Sequence, residues 1–321
     1  MTGTVTVDIA GAQMGGAARL GAELYRYLAR TGRDDVAVIG AAHRVEPGWL
    51  LRREVTKPAS ARRVALNNVS FVVPGGQRWT LLRNALHFLT AAEASLLDPA
   101  LAASVRREAA VVRLSARRAD VLVVPSTAMA QRVIRVLPHM TGRVMVRPHP
   151  VSADSVPRGP RDPAILCPVL FAPYKQMDER LRELLAALDE HGDPSVRVRV
   201  TASPADLPAE FASDARIEFV GAVGQQALRQ VWARSRAIYF PTGLESFGYP
   251  LAEARVSGQP VIARDTAQNR EIAGPALCGF TSGDPDSLRR AVMLALVAQV
   301  APDPVPFDPG AYFDWLLGLP R

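Results

Sequence analysis

Glu245-Ser-Phe-Gly-Tyr-Pro-Leu-Ala-Glu253 is bracketed by signals that fix its local structure. The run Ala237–Phe240 before it is apolar and partly β-branched, reads as a buried strand, and stops at Pro241. The loop Thr242–Tyr249 follows. Pro250 suits the first turn of a helix, where its missing N–H has no partner to lose. Gly258 ends that helix, and Gln259-Pro260 leads into a further strand, Val261–Ala263. Strand, loop, helix and strand in this order argue for a parallel sheet wrapped by helices.

The same alternation extends in both directions. Upstream within this half, strands are predicted at Ile165–Phe171, Val196–Val200 and Ile217–Val220, with helices at Glu179–Glu190 and Gln226–Ser235. A helix is predicted downstream at Pro285–Ala298. The first half reads as strands at Val5–Ile9, Val36–Ile39, Val69–Val73, Val121–Val124 and Val144–Val146. Its predicted helices are Ala17–Arg30, Trp79–Leu89, Leu101–Arg118 and Thr127–Leu137, the last capped by Ser126. The stretch 147–163 holds five prolines and reads as a linker. The expected organisation is therefore a first domain over 1–150, a linker over 151–163 and a second domain over 164–300. The tail 301–321 carries the aromatic run Tyr312–Leu317, a candidate final helix that packs back on the first domain. The fold class is α/β, with two Rossmann-like doubly wound domains.

A length of 321 residues suits two cores, and no apolar run is long enough to span a bilayer. The first residues lack the pattern of a signal peptide. The two cysteines, Cys167 and Cys278, sit in strand-like contexts and read as free thiols of a cytoplasmic protein. The net charge of +7 is unevenly spread: residues 1–150 carry 21 Lys/Arg against 10 Asp/Glu, and residues 151–321 carry 17 against 21. A basic first half can attract an acidic acceptor or a phospholipid surface, and its plain alternative is a set of solvated helix faces. With 6% aromatic residues and no recognition module, nucleic acid is not an expected partner. Asp284-Pro-Asp286 imitates a metal-binding pair but precedes a helix, so capping explains it better. No His/Cys cluster has zinc spacing, and no P-loop or nucleophile elbow occurs.

The helix start at Phe247, Gly248 and Tyr249 offers backbone N–H groups and the positive end of the helix dipole, a combination that favours phosphate. Glu245 and Glu253 lie up to about 12 Å apart if the chain between them is helical. At that distance they cannot share one proton. They can bind hydroxyls at two ends of an elongated ligand with phosphate between them, which is the layout of a nucleotide sugar. The plain alternative is a pair of solvated helix-end carboxylates.

Glu245 to Glu253 resembles the E-x7-E signature of the retaining GT-B glycosyltransferases of family four. Ser257–Asp265 and Asn269–Ile272 are similar to that family's continuation, as are, more diffusely, Val124-Pro-Ser126 and Phe219–Val223. The resemblance implies two domains facing a deep cleft and transfer of a sugar from a nucleotide-sugar donor, with UDP, GDP, ADP and dTDP carriers all open. It implies that Glu245 touches the donor sugar, that Ser246, Phe247, Gly248 and Tyr249 serve sugar and phosphate, and that Glu253 binds the ribose. Neither cofactor nor metal is implied.

Lys175 follows the strand predicted at 165–171 and can neutralise a diphosphate leaving group. It is one of two lysines in an arginine-rich chain. Similar proteins often carry an arginine five residues earlier, where this chain has Leu170. Gly15 and Gly16, after the first strand, form an incomplete glycine-rich loop that in similar proteins faces the donor phosphate or the acceptor. Arg19, Arg83 and His87 are acceptor-side candidates. Arg83 and His87 are expected to share a helical face, with His87 orienting the acceptor or taking its proton. His149 stands where the family usually has an Asn-Gly turn. The acceptor is a small molecule, a glycan or a lipid-linked glycan, the last implying peripheral contact with the inner membrane face. Two other readings stay open: a nucleotide-sugar epimerase or phosphorylase, and a non-catalytic sugar-binding helper.

Overall fold

The computed structural model describes residues 4–13, 15–56, 59–153, 161–168, 175–221 and 223–318. The chain divides into two compact units, Met1–Pro150 with Phe307–Arg321, and Val151–Pro306.

The first unit runs β1 (Val5–Asp8), α1 (Gly15–Thr31), β2 (Val36–Ile39), α2 (Pro47–Thr56), β3 (Arg62–Ala65), β4 (Gln77–Leu81), α3 (Ala91–Ala94), α4 (Pro99–Ala116), β5 (Val121–Val124), α5 (Thr127–Val136) and β6 (Val144–Val146). Its sheet is wholly parallel in the order β2-β1-β3-β4-β5-β6. The order reverses between β1 and β3, and the carboxyl ends of strands at such a reversal are where doubly wound sheets generally bind ligands.

Three expectations for this unit are corrected. Val69–Val73 is β-branched but joins no sheet, because side chains satisfy its backbone. Arg53 Nη2 donates to Val69 O and Ser70 O, Glu54 accepts from Val72 N and Val73 N, and Ser115 Oγ accepts from Ser70 N. The strand that lies beside β1 is instead β3, whose two arginines hide its alternation: Arg62 stacks over Trp79 and Arg63 is buried near Phe71. Trp79–Leu89 is not a helix. Its first residues belong to β4, and only Ala85–Phe88 forms a short 3-10 turn, capped by Asn84.

The second unit runs β7 (Asp162–Cys167), α6 (Met177–His191), β8 (Arg197–Val200), α7 (Ala209–Ser213), β9 (Ile217–Phe219), α8 (Gln225–Arg234), β10 (Ser235–Phe240), α9 (Tyr249–Ser257), β11 (Val261–Arg264), α10 (Ala267–Ala273), β12 (Leu277–Phe280) and α11 (Pro285–Val297). Its parallel sheet has the order β12-β11-β10-β7-β8-β9, with the reversal between β7 and β10. The central strands β7, β10 and β11 are buried on both faces over most of their length and read as nearly continuous apolar runs, whereas β8 alternates arginine with valine. The end of the strand predicted at 165–171, the linker residues 154–160 and Leu170 lie outside the described residues. Asp284 caps α11 through Ser287 N, the capping role expected of it.

The last helix, α12 (Pro309–Leu317), belongs to the first unit. Tyr312, Phe313, Leu316 and Leu317 join the core formed by β1, α1, β3 and β4. Tyr27 donates to Asp314, and Arg62 Nη1 donates to Leu316 O at 2.8 Å. His149 is buried beside the Tyr312 ring, and burial pulls its imidazole down to about 3. An unfolded histidine titrates near ~6.5. Between those values the unfolded chain takes a proton that the folded chain refuses. Stability should therefore be flat above about pH 6.5 on this account and fall by up to about 1.4 kcal/mol per pH unit below it. Denaturant unfolding at several pH values should show a shallower acid limb for His149→Gln; identical limbs would refute this assignment.

Candidate active site

The second sheet brings Lys175 and Glu245 together across 70 residues of sequence. Lys175 follows β7 and Glu245 follows β10, the two strands at the reversal of strand order. Lys175 Nζ lies 3.0 Å from Glu245 Oε1, with the side chains 11% and 22% exposed. The ammonium is thus paired with a carboxylate at the carboxyl ends of the two strands.

The loop after Glu245 turns into α9 at Gly248, which has left-handed backbone angles of φ 79 and ψ 75. A Cβ at this position would come within 2.9 Å of Leu251 Cδ1 and 3.2 Å of Phe240 Cε1, so both conformation and packing require glycine. Phe247 is buried and packs edge-on against Tyr249, with ring centroids 5.1 Å apart. These contacts hold the loop in place. The helix has no side-chain cap at its start and carries Pro250 in its first turn, which leaves the dipole end for an anion. α9 begins at Tyr249, so Glu253 sits just past its first turn. Ser246 and Glu253 are half-buried.

In the first unit a cavity of about 380 Å³ opens at the carboxyl ends of β1, β3 and β4, lined by Gly11, Asn67, Arg83, Asn84, His87 and Glu108 among others. Arg83 and His87 therefore meet, though not on the helical face expected. Arg83 precedes the 3-10 turn and is fixed by its backbone N–H to Asn68 Oδ1 and its Nε to Leu66 O, while His87 lies within the turn. Burial lowers the His87 pKa from its ordinary value, opposed by Glu108, whose carboxylate is 3.7 Å from Nε2. The ring is neutral near pH 7 and able to accept a proton or a hydrogen bond. Gly15, Gly16 and Arg19 lie at the start of α1 and are not among the lining residues.

One set of residues escaped the sequence reading. Asp8, fully buried at the end of β1, accepts from Ala10 N, Trp49 Nε1, Arg53 Nη1 and Asn67 Nδ2. This cluster ties α2 and the loop after β3 to the cavity floor. A carboxylate ending an otherwise apolar strand was the available signal.

The glycosyl transferases group 1 family model matches residues 162–297. Among curated proteins, the serotype-specific mannosyltransferase WbdA of Escherichia coli is 38% identical over 81 residues, which is 25% of this chain and 10% of that protein. The chain thus spans about a tenth of the length of the curated relatives it matches. Among solved structures, sucrose-phosphate synthase from Thermosynechococcus elongatus is similar with a TM-score of 0.65 at 14% identity, over 98% of this chain and 94% of that one. HepE of Anabaena, solved in complex with UDP, gives a TM-score of 0.64 at 14% identity over 99% and 96% of the two chains. Residues 162–297 are thus similar to the glycosyl transferases group 1 family, in a chain that has the GT-B fold of these solved structures.

Proposed function

We propose that this chain is a retaining glycosyltransferase that moves a hexosyl unit from a nucleotide-sugar donor to a small-molecule or glycan acceptor. The Lys175–Glu245 pair at the sheet reversal, next to the uncapped start of α9, carries this reading. The donor diphosphate takes the place of Glu245 against the Lys175 ammonium and lies at the helix start, where backbone dipoles stabilise the departing nucleoside diphosphate. Glu245, released from Lys175, binds a hydroxyl of the donor sugar near the reacting carbon, and Ser246 to Tyr249 line sugar and phosphate. Glu253 binds the ribose. Because Lys175 and the helix start supply the positive field, the reaction needs no metal ion.

The acceptor is assigned to the cavity of the first unit. In this reading Arg83 and the neutral His87 orient its hydroxyl, and His87 takes the proton. A lipid-linked acceptor would be met at the inner membrane face by the basic first unit.

The reading is tested by thermal shift with UDP, GDP, ADP and dTDP in turn. At a hundredfold excess over Kd, the carrier that fits should stabilise by about 2.7 kcal/mol, a rise of roughly 5–10 °C for a domain of this size. The absence of a response to all four would refute it. Incubating the matching nucleotide sugar without acceptor separates transfer from epimerisation, since a transferase leaves the sugar configuration of the donor unchanged.

A further inference from the structure

Lys175 alone is a weak receptor for a diphosphate, because its charge is already balanced by Glu245. A second cation stands at the same edge of the sheet. Arg264 ends β11, the strand paired with β10 on the side opposite β7. Its guanidinium lies directly over Gly243, in the loop that carries Glu245. A Cβ on Gly243 would come within 2.5 Å of Arg264 Nη1 and 3.1 Å of Cζ, so glycine at 243 is what lets the guanidinium lie against the loop backbone.

The Arg264 side chain has no ion pair or hydrogen bond among the described residues, and its Nε is buried without a partner. The adjoining hydroxyl of Thr242 is buried and unpartnered in the same way. Arg180, which faces Arg264 from α6, is already paired with Glu183 at 2.6 Å. Burial first, and then Arg180, lower the Arg264 pKa, while Glu183, Tyr239 and Glu179 raise it. A half-buried cation beside a donor loop, without its own anion, is an incomplete charge pair.

We propose that Arg264 is a donor-binding residue that takes the diphosphate of the nucleotide sugar together with Lys175. This rests on the donor reading given above. The planar fork of arginine can hold two phosphate oxygens at once, which the point charge of Lys175 cannot do. Thr242 is the neighbouring hydroxyl able to donate to the same group. Ligand binding would then supply the anion that Arg264 does not find among the described residues, and free Glu245 from Lys175 for the sugar.

The test is calorimetric titration of wild type, Arg264→Gln and Arg264→Lys with UDP, GDP, ADP and dTDP, with the matching nucleoside followed by ligand-observed NMR. Arg264→Gln should weaken the fitting diphosphate about tenfold to hundredfold and leave nucleoside binding unchanged. Arg264→Lys, which keeps charge and bulk, should recover part of the loss. A merely structural arginine would move both ligands alike. Wild-type diphosphate affinity in Arg264→Gln, or equal losses of diphosphate and nucleoside, would overturn the assignment while leaving the donor reading intact. Failure of the wild-type protein to bind any of the four diphosphates would overturn both.

Discussion

Glu245→Ala is expected to abolish measurable sugar transfer while leaving the chain folded. The carboxylate has two tasks in the proposed cycle. In the free protein it neutralises Lys175 across 3.0 Å; in the donor complex it binds the sugar beside the reacting carbon. Loss of one well-placed polar group at a reacting centre costs about a hundredfold to a thousandfold in kcat. The stability cost is of a different order. The pair is partly exposed and lies at a loop, so its contribution is about 1 kcal/mol or less. Activity and stability should therefore separate cleanly. Glu245→Gln, which keeps shape and loses charge, should lie between alanine and wild type if hydroxyl binding dominates. Wild-type turnover of Glu245→Ala with its proper donor would refute the role of this residue. A collapse of the thermal midpoint would show instead that the pair holds the loop.

The reading from sequence succeeded where backbone hydrogen bonding and apolar burial agree. In the second unit the strands β7, β10 and β11 are mostly apolar, β8 alternates arginine with valine, and helices separate them, so periodicity alone marks them. The start of α9 was legible because Pro250 and Gly258 punctuate it. The first unit was less legible because side chains replace strand neighbours there. Val69–Val73 has the composition of a strand, but Arg53, Glu54 and Ser115 claim its backbone. Arg62 and Arg63 occupy a strand whose charges are absorbed by Trp79, Phe71 and carbonyl oxygens. Such pairings join residues distant in sequence, and no local pattern announces them. The candidate site divides in the same way. The spacing of Glu245 and Glu253 was visible as a motif, whereas the contact of Glu245 with Lys175 and the position of Arg264 over Gly243 exist only once β7, β10 and β11 lie side by side.

Asp8→Ala is expected to be the most damaging single substitution for stability, at about 3–5 kcal/mol. Asp8 and Arg53 form an ion pair of 2.5 Å with both side chains essentially sealed from water. Removing the carboxylate leaves the buried Arg53 cation, next to the Phe71 ring 4.5 Å away, with only the long 4.0 Å ion pair to Glu54. It also strips the acceptor from Ala10 N, Trp49 Nε1 and Asn67 Nδ2. A domain stable by only about 5–15 kcal/mol has little margin for such a loss. Arg53→Met takes the donor from Val69 O and Ser70 O and the cation from Asp8, but should cost less, because Asp8 would keep those three donors and the methionine would refill the apolar contact with Phe71. The double variant Asp8→Ala/Arg53→Met should then lose less stability than the two single losses summed, since cation and anion are removed together. Three of the four tryptophans, Trp49, Trp79 and Trp315, lie in the first unit, so tryptophan fluorescence in urea follows this unit selectively. Additive losses in the double variant would show that the cluster acts through packing and not through charge. The functional consequence follows from position: Asn67 lines the cavity and is held by Asp8, so variants that stay folded should lose acceptor affinity, read as a raised KM, before they lose the binding of a nucleoside diphosphate.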